Sequence, residues 1–214
     1  VLKGNTDLYT VIWYGPNILV YSLIASVYFI FSPLLTGKIV MIVLILSWIA
    51  SIYLLADFQN YPVENALLAS MLVYNSSVYW GFLNFLIGWP VFVLWLIACL
   101  RPMNRKIFSA MLLISFFLYW AHALWFLIGS ACLFVIALHQ FKNWKSFLFR
   151  LLPVLPVGMI SLIWYPMLSS VRAETGFDIS PYWFFNPLTR LSPVYLVDAM
   201  LGGIHGPLEC IVAS

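Results

Sequence analysis

Apolar residues run along this chain in five stretches, at 16–32, 39–56, 65–100, 107–138 and 151–168, each parted from the next by a short polar interruption. Such runs predict helices that cross a bilayer, because a hydrocarbon core of about 30 Å takes about 20 residues of helix. The first two read as single helices. Gly15 and Pro16 open one, and the breaker "SPLLTGK", with Ser32, Pro33 and Gly37, precedes the other. The third and fourth are too long for one crossing and must fold back. In the fourth, "FFLYWAHALWF" puts the break at His122, between a helix over 107–119 and a second that ends at Leu138. In the third, the breaks on offer are "NSS" at 75–77 and the Gly81, Asn84, Gly88 and Pro90 of "VYWGFLNFLIGWP". That pattern leaves open whether 65–100 crosses twice or crosses once with a re-entrant piece. Pro153 and Pro156 begin the fifth run. The expectation is all-α: a polytopic transmembrane helix bundle of about six or seven spans, with re-entrant or broken helices. No repeat of fixed period and no low-complexity linker divides the chain, so residues 1–214 are read as one domain.

Composition sharpens the class. Hydrophobic residues make up 64% and charged residues 8%, whereas a soluble domain carries about 25% charge; so few charges cannot coat a water-facing surface. A net charge of +3 without a basic run gives no footprint for nucleic acid. Cys99, Cys132 and Cys210 lack the paired spacing of a metal site and read as small buried thiols. The start at Val-Leu-Lys and the end at "LECIVAS" suggest a piece of a longer chain.

Charge also sets an expected orientation, since short loops rich in Lys and Arg stay in the cytoplasm. Arg101, Arg105 and Lys106 separate the third and fourth runs, and Lys142, Lys145 and Arg150 the fourth and fifth, with no acid in either segment. Loops 101–106 and 139–150 are therefore expected in the cytoplasm, with His122 toward the opposite face. The segment 169–190 is then exoplasmic, its Tyr182, Trp183, Phe184 and Phe185 suiting the headgroup level.

The candidate chemistry is sparse. His122 is the histidine inside an apolar run, and an ionisable group at membrane depth is a functional hypothesis by default. Its first reading is a neutral imidazole that caps a helix break or bonds a carbonyl near the interface, its second a contact to substrate or lipid phosphate. Asn84 must find partners for its amide, either on a neighbouring helix that Gly81 and Gly88 let approach, or as the wall of a ligand cavity. His139 and His205 read as a solvated loop residue and a turn residue. Of the seven acids, Glu174 and Asp178 form an i, i+4 pair beside arginines; they are the candidates for a divalent metal, against the plainer reading of a solvated loop. No P-loop, nucleophile elbow or zinc signature is present, and no helix studded with paired charges suggests a pump.

The order of pieces carries one resemblance. "YGPN" opening a span, a helix pair, "WGFLNFLIGWP", a basic loop, "YWAHALWF", a second basic loop and an aromatic segment resemble, over residues 9–190, the membrane core of the bacterial type C glycosyltransferases. The resemblance implies a multi-pass protein of the bacterial inner (cell) membrane that moves sugar from a polyprenyl-phosphate donor on the exoplasmic face, often with magnesium or manganese. It implies that His122 and the stretch from Trp80 to Asn84 face the donor, and that Arg172 or Arg190 meets a lipid phosphate. Members of that family carry a catalytic acid, often paired, in the loop after the first span. Here Asp7 alone precedes the first run and no DxD or DE pair exists, so the catalytic part lies upstream of Val1 or has been lost. Two other classes remain: a non-catalytic accessory subunit of a larger membrane complex, which the 18% aromatic content fits, and a transporter, for which matched broken halves are missing.

Overall fold

The computed structural model describes residues 15–75, 78 and 81–175, with side chains as far as Pro166. These residues are mostly helical, with short turns between the helices and no strand among them. In chain order the α-helices are α1 (Ile18–Tyr28), α2 (Pro33–Phe58), α3 (Val63–Ser70), α4 (Leu83–Leu100), α5 (Arg105–Ala121), α6 (Ala123–His139), α7 (Trp144–Leu151) and α8 (Leu155–Thr175). Short 3-10 turns at Met71–Val73 and Leu152–Val154 extend α3 and join α7 to α8.

Three helical stretches are long and apolar enough to cross a membrane: Pro33–Phe58, Leu83–Leu100 and Trp144–Pro166. Ile18–Tyr28, Val63–Val73 and Ala123–His139 are apolar but shorter. Many large side chains on these helices face outward, among them Phe29 at 84% and Leu162 at 74% exposure, as bilayer-facing surfaces do.

Three segments differ from the pattern reading. The "SPLLTGK" breaker lies mostly inside α2, because Pro33 sits in the first turn, where its missing N–H costs nothing, and Gly37 continues the helix. The basic loop 139–150 holds α7, which begins on Asn143 and carries Lys145 and Arg150. The helical segment likewise runs on to Thr175, so 169–175, read as loop, is helix and places Arg172 and Glu174 on it. The breaks within the long runs fall where expected: His122 alone separates α5 from α6, and Gly81, at φ 70°, precedes α4.

The packing follows from small residues and indole N–H groups, since in lipid close contact and hydrogen bonds, more than hydrophobicity, hold helices together. At Gly88 on α4 there is room only because a Cβ is absent; one there would run into the Trp125 ring on α6. Trp125 donates its Nε1–H to the carbonyl of Phe85 at 2.9 Å, and Trp95 on α4 donates to the carbonyl of Gly129 on α6 at 2.8 Å. Two indoles thus latch α4 to α6 at two heights. Trp95, Met111, Leu118, Leu133 and Val157 are buried at the centre of this cluster. Ser115 on α5 donates to the Pro153 carbonyl at 3.0 Å, tying the α7–α8 junction to it.

Against this core, α2 and α4 run in the same sense. Leu44 packs with Leu83 and Ile87, and Arg101 lies 5.7 Å from the centre of the Phe58 ring. The chain between them must therefore climb back, which it does through the short α3 and its 3-10 turn. The run 65–100 is thus one full helix preceded by a short return. All of this gives the bundle two ends: one at the starts of α4 and α6, the other at the ends of α4 and α6.

Candidate functional site

The first of those ends opens into a cleft of about 520 Å³. Three parts of the chain build it. From α1 come Val20, Tyr21 and Ile24; from the turn and first residues of α4 come Gly81 to Phe85; from the α5–α6 corner come His122 and Leu124. The cleft exists because Gly81 takes a left-handed φ that starts α4 abruptly, while His122, in extended backbone at φ −167°, breaks the neighbouring helix at the same level.

His122 accepts a hydrogen bond at Nδ1 from the backbone N–H of Leu124, 3.1 Å away. An acceptor Nδ1 carries no proton, so the imidazole is neutral with its hydrogen on Nε2. It is therefore a cap of α6, as the plainer reading expected, and a wall of the cleft at once. Phe85 stands edge-on to the imidazole with centroids 5.9 Å apart, and tilts against Trp125 at 4.9 Å. The hydrogen bond from Trp125 to the Phe85 carbonyl fixes this arrangement from behind.

Asn84 is half-buried, and its Oδ1 is shut off from solvent without a hydrogen-bond partner among the described residues. An unmet buried acceptor costs about 1–3 kcal/mol; among the described residues Asn17 Oδ1, Thr36 Oγ1 and the indole N–H groups of Trp48 and Trp89 are in the same state, and Asn84 differs from them in lining the cleft. Asn84 and His122, singled out separately along the sequence, are thus brought into one cleft whose lining, among the described residues, carries no charged side chain. Its chemistry is an orphan amide oxygen, an imidazole Nε2–H, and the aromatic rings of Tyr21, Phe82 and Phe85.

The described lining holds none of the other expected site residues. Trp80, Arg190 and Asp178 lie outside the described residues, as does the aromatic cluster 182–185; Arg172 and Glu174 fall on α8, with their side chains outside the description. Among the described residues no three His, Cys, Asp or Glu side chains converge in a way that could hold a metal ion. Sequence reasoning missed Tyr21 and Ile24, apolar-looking positions that only the meeting of α1 with α4 turns into cleft walls, whereas Phe82 lies within the stretch from Trp80 to Asn84 that it singled out. It also passed over Asn17, whose Oδ1 is buried without a partner at φ 70°; the "GPN" ahead of the first run was the available signal.

No family model, curated protein or solved structure matches this chain.

Proposed function

We propose that this protein is a membrane-embedded core whose cleft holds the hydroxyl-bearing end of an amphiphile, the sugar of a polyprenyl-phosphate donor, as in a lipid-linked sugar transferase. In this reading the basic end faces the cytoplasm, the cleft faces the opposite side, and the shorter α1, α5 and α6 cross with the long helices to make six or seven spans. What carries the reading is the orphan Oδ1 of Asn84 beside the His122 imidazole in an uncharged, aromatic-walled cleft. A sugar hydroxyl in the cleft accepts from the His122 Nε2–H while its C–H face lies on Phe82 or Tyr21, and a turn of the Asn84 side chain brings Oδ1 out of its enclosed position to accept from it. A phosphate or carboxylate finds no cation in the lining; the donor's phosphate falls in this reading to Arg172 or Arg190, and a divalent metal, if used, to Glu174 and Asp178. The catalytic acid is not assigned to any residue.

A second reading, a non-catalytic subunit of a larger membrane assembly, is favoured by the outward-facing aromatic and aliphatic rows.

The thermal midpoint of the detergent-purified full chain separates the two when measured with a polyprenyl-phosphate sugar and with the same polyprenyl phosphate lacking the sugar. The transferase-like reading expects protection by the sugar-bearing lipid alone, about 2.7 kcal/mol at a hundredfold excess over Kd, and its loss in Asn84→Ala. Equal protection by both lipids, or by neither, overturns it.

A further inference from the structure

The opposite end of the bundle carries a second surface, independent of the cleft. Two basic segments that lie far apart in the chain meet there. Phe108, two residues after Lys106, stacks on Phe149 of α7 with centroids 5.1 Å apart and planes 14° from parallel. Arg150 reaches from α7 to the carbonyl of Cys99, at 3.0 Å, just before Arg101. The start of α5 and the last turn of α7 are therefore neighbours, and the rest of α7 continues from there along the end of α6. Arg105, Lys106, Lys142 and Lys145 are all exposed on the joined surface. The carboxylates of this end, Asp57 and Glu64, belong to the α2–α3 turn, and among the described residues they make no ion pair with any of these cations.

Helix α7 is built for an interface. At 100° per residue, Lys145, Ser146 and Arg150 fall on one side, with Phe149 between them turned to Phe108, and Trp144, Phe147, Leu148 and Leu151 on the other. Phe147 anchors the inner edge, edge-on to Phe134 on α6 at 5.9 Å. Along the outer edge Trp144, Leu148 and Leu152 repeat every four residues and are 69%, 58% and 42% exposed. An apolar row this exposed, under a tryptophan and beside lysines, is the pattern of a helix lying at the boundary of headgroups and acyl chains.

We infer that α7 and the start of α5 form one binding surface for anionic phospholipid headgroups, with Arg105, Lys106, Lys142 and Lys145 taking the phosphates and the Trp144–Leu148–Leu152 row resting on acyl chains. Charge complementarity selects this occupant: four exposed cations, without carboxylate partners among the described residues, stand at the level where the apolar row must enter lipid. An anionic leaflet attracts each such cation by about fivefold in binding.

The test uses the full chain in micelles of a neutral detergent, titrated with acyl-labelled phosphatidylglycerol or acyl-labelled phosphatidylcholine and followed by fluorescence anisotropy. The anionic lipid is expected to bind at least about tenfold tighter at about 0.05 M salt. That advantage shrinks to about twofold at about 1 M, where the screening length is about 3 Å. The wild-type salt series needs no variant, so it decides even if substitution perturbs folding. The quadruple variant Arg105→Gln, Lys106→Gln, Lys142→Gln, Lys145→Gln is expected to lose the preference, and Lys38→Gln, on the exposed start of α2, to keep it. Equal binding of the two lipids, a preference indifferent to salt, or one that survives the quadruple variant overturns the proposal.

Discussion

The two ends of the bundle handle the same side chain in opposite ways. At the basic end, Asn104 and Asn143 each start a helix, their Oδ1 atoms accepting from the backbone N–H groups of Ile107 at 2.9 Å and Ser146 at 2.8 Å. At the cleft end Asn84 sits in the first turn of α4, where neither it nor Phe82 supplies a side-chain cap, and its Oδ1 is left without a partner. A helix start needs its free N–H groups satisfied, and the basic end spends its asparagines on that. The cleft end spends His122 on the cap of α6 and leaves Asn84 over. An Oδ1 whose hydrogen bond is met inside the protein is architecture; one enclosed without a partner beside a cleft becomes available to a ligand when its side chain turns.

The contrast depends on α4 and α6 being held together between the two ends, and the largest expected effect follows from removing that hold. Trp95 is fully buried and bonded to Gly129. Trp95→Ala should cost about 3–5 kcal/mol, as for other buried aromatic truncations, read as a lowered unfolding midpoint in detergent. A midpoint unchanged within error would mean that the indole latches do not hold the bundle, and the cleft would lose its physical support.

Next in size is Gly88. A Cβ there collides with Trp125, at the upper end of the about 1–3 kcal/mol that overpacking costs, while alanine returns about 1 kcal/mol of helix propensity. Gly88→Ala should therefore destabilise by about 2 kcal/mol. Gly37 and Gly158 meet nothing within 4 Å, so Gly37→Ala and Gly158→Ala should be neutral or stabilising by up to about 1 kcal/mol. Equal behaviour of all three alanines would mean that the glycine at the α4–α6 crossing has no special part in it.

Much of this was legible in the sequence, for identifiable reasons. A polar residue in a long apolar run marks a place where backbone groups need help, which is why His122 located the α5–α6 corner and Asn84 the start of α4. Proline misleads when it is read as a breaker rather than a starter, and Pro33 hid the first turns of α2. Helix α7 was hidden for another reason: eight residues with two cations look like loop until Phe147 and Phe149 have neighbours to pack on. The cleft walls from α1 were illegible because nothing in Tyr21 or Ile24 points to Asn84; their meeting is a product of the topology.

The smallest effect is also the most discriminating, because its sign differs between the ends. Asn104→Ala and Asn143→Ala remove helix caps and should each destabilise by about 1 kcal/mol. Asn84→Leu keeps approximate volume and deletes an acceptor that is already unmet, so in the absence of ligand it should be neutral or stabilising by up to about 1 kcal/mol. Chemical unfolding of the three variants in the same detergent gives the comparison directly. If Asn84→Leu instead falls by as much as the cap variants, its amide is satisfied inside the folded chain. The difference between the two ends would then be one of charge alone, and the case for a ligand at the cleft would rest on His122 without its partner.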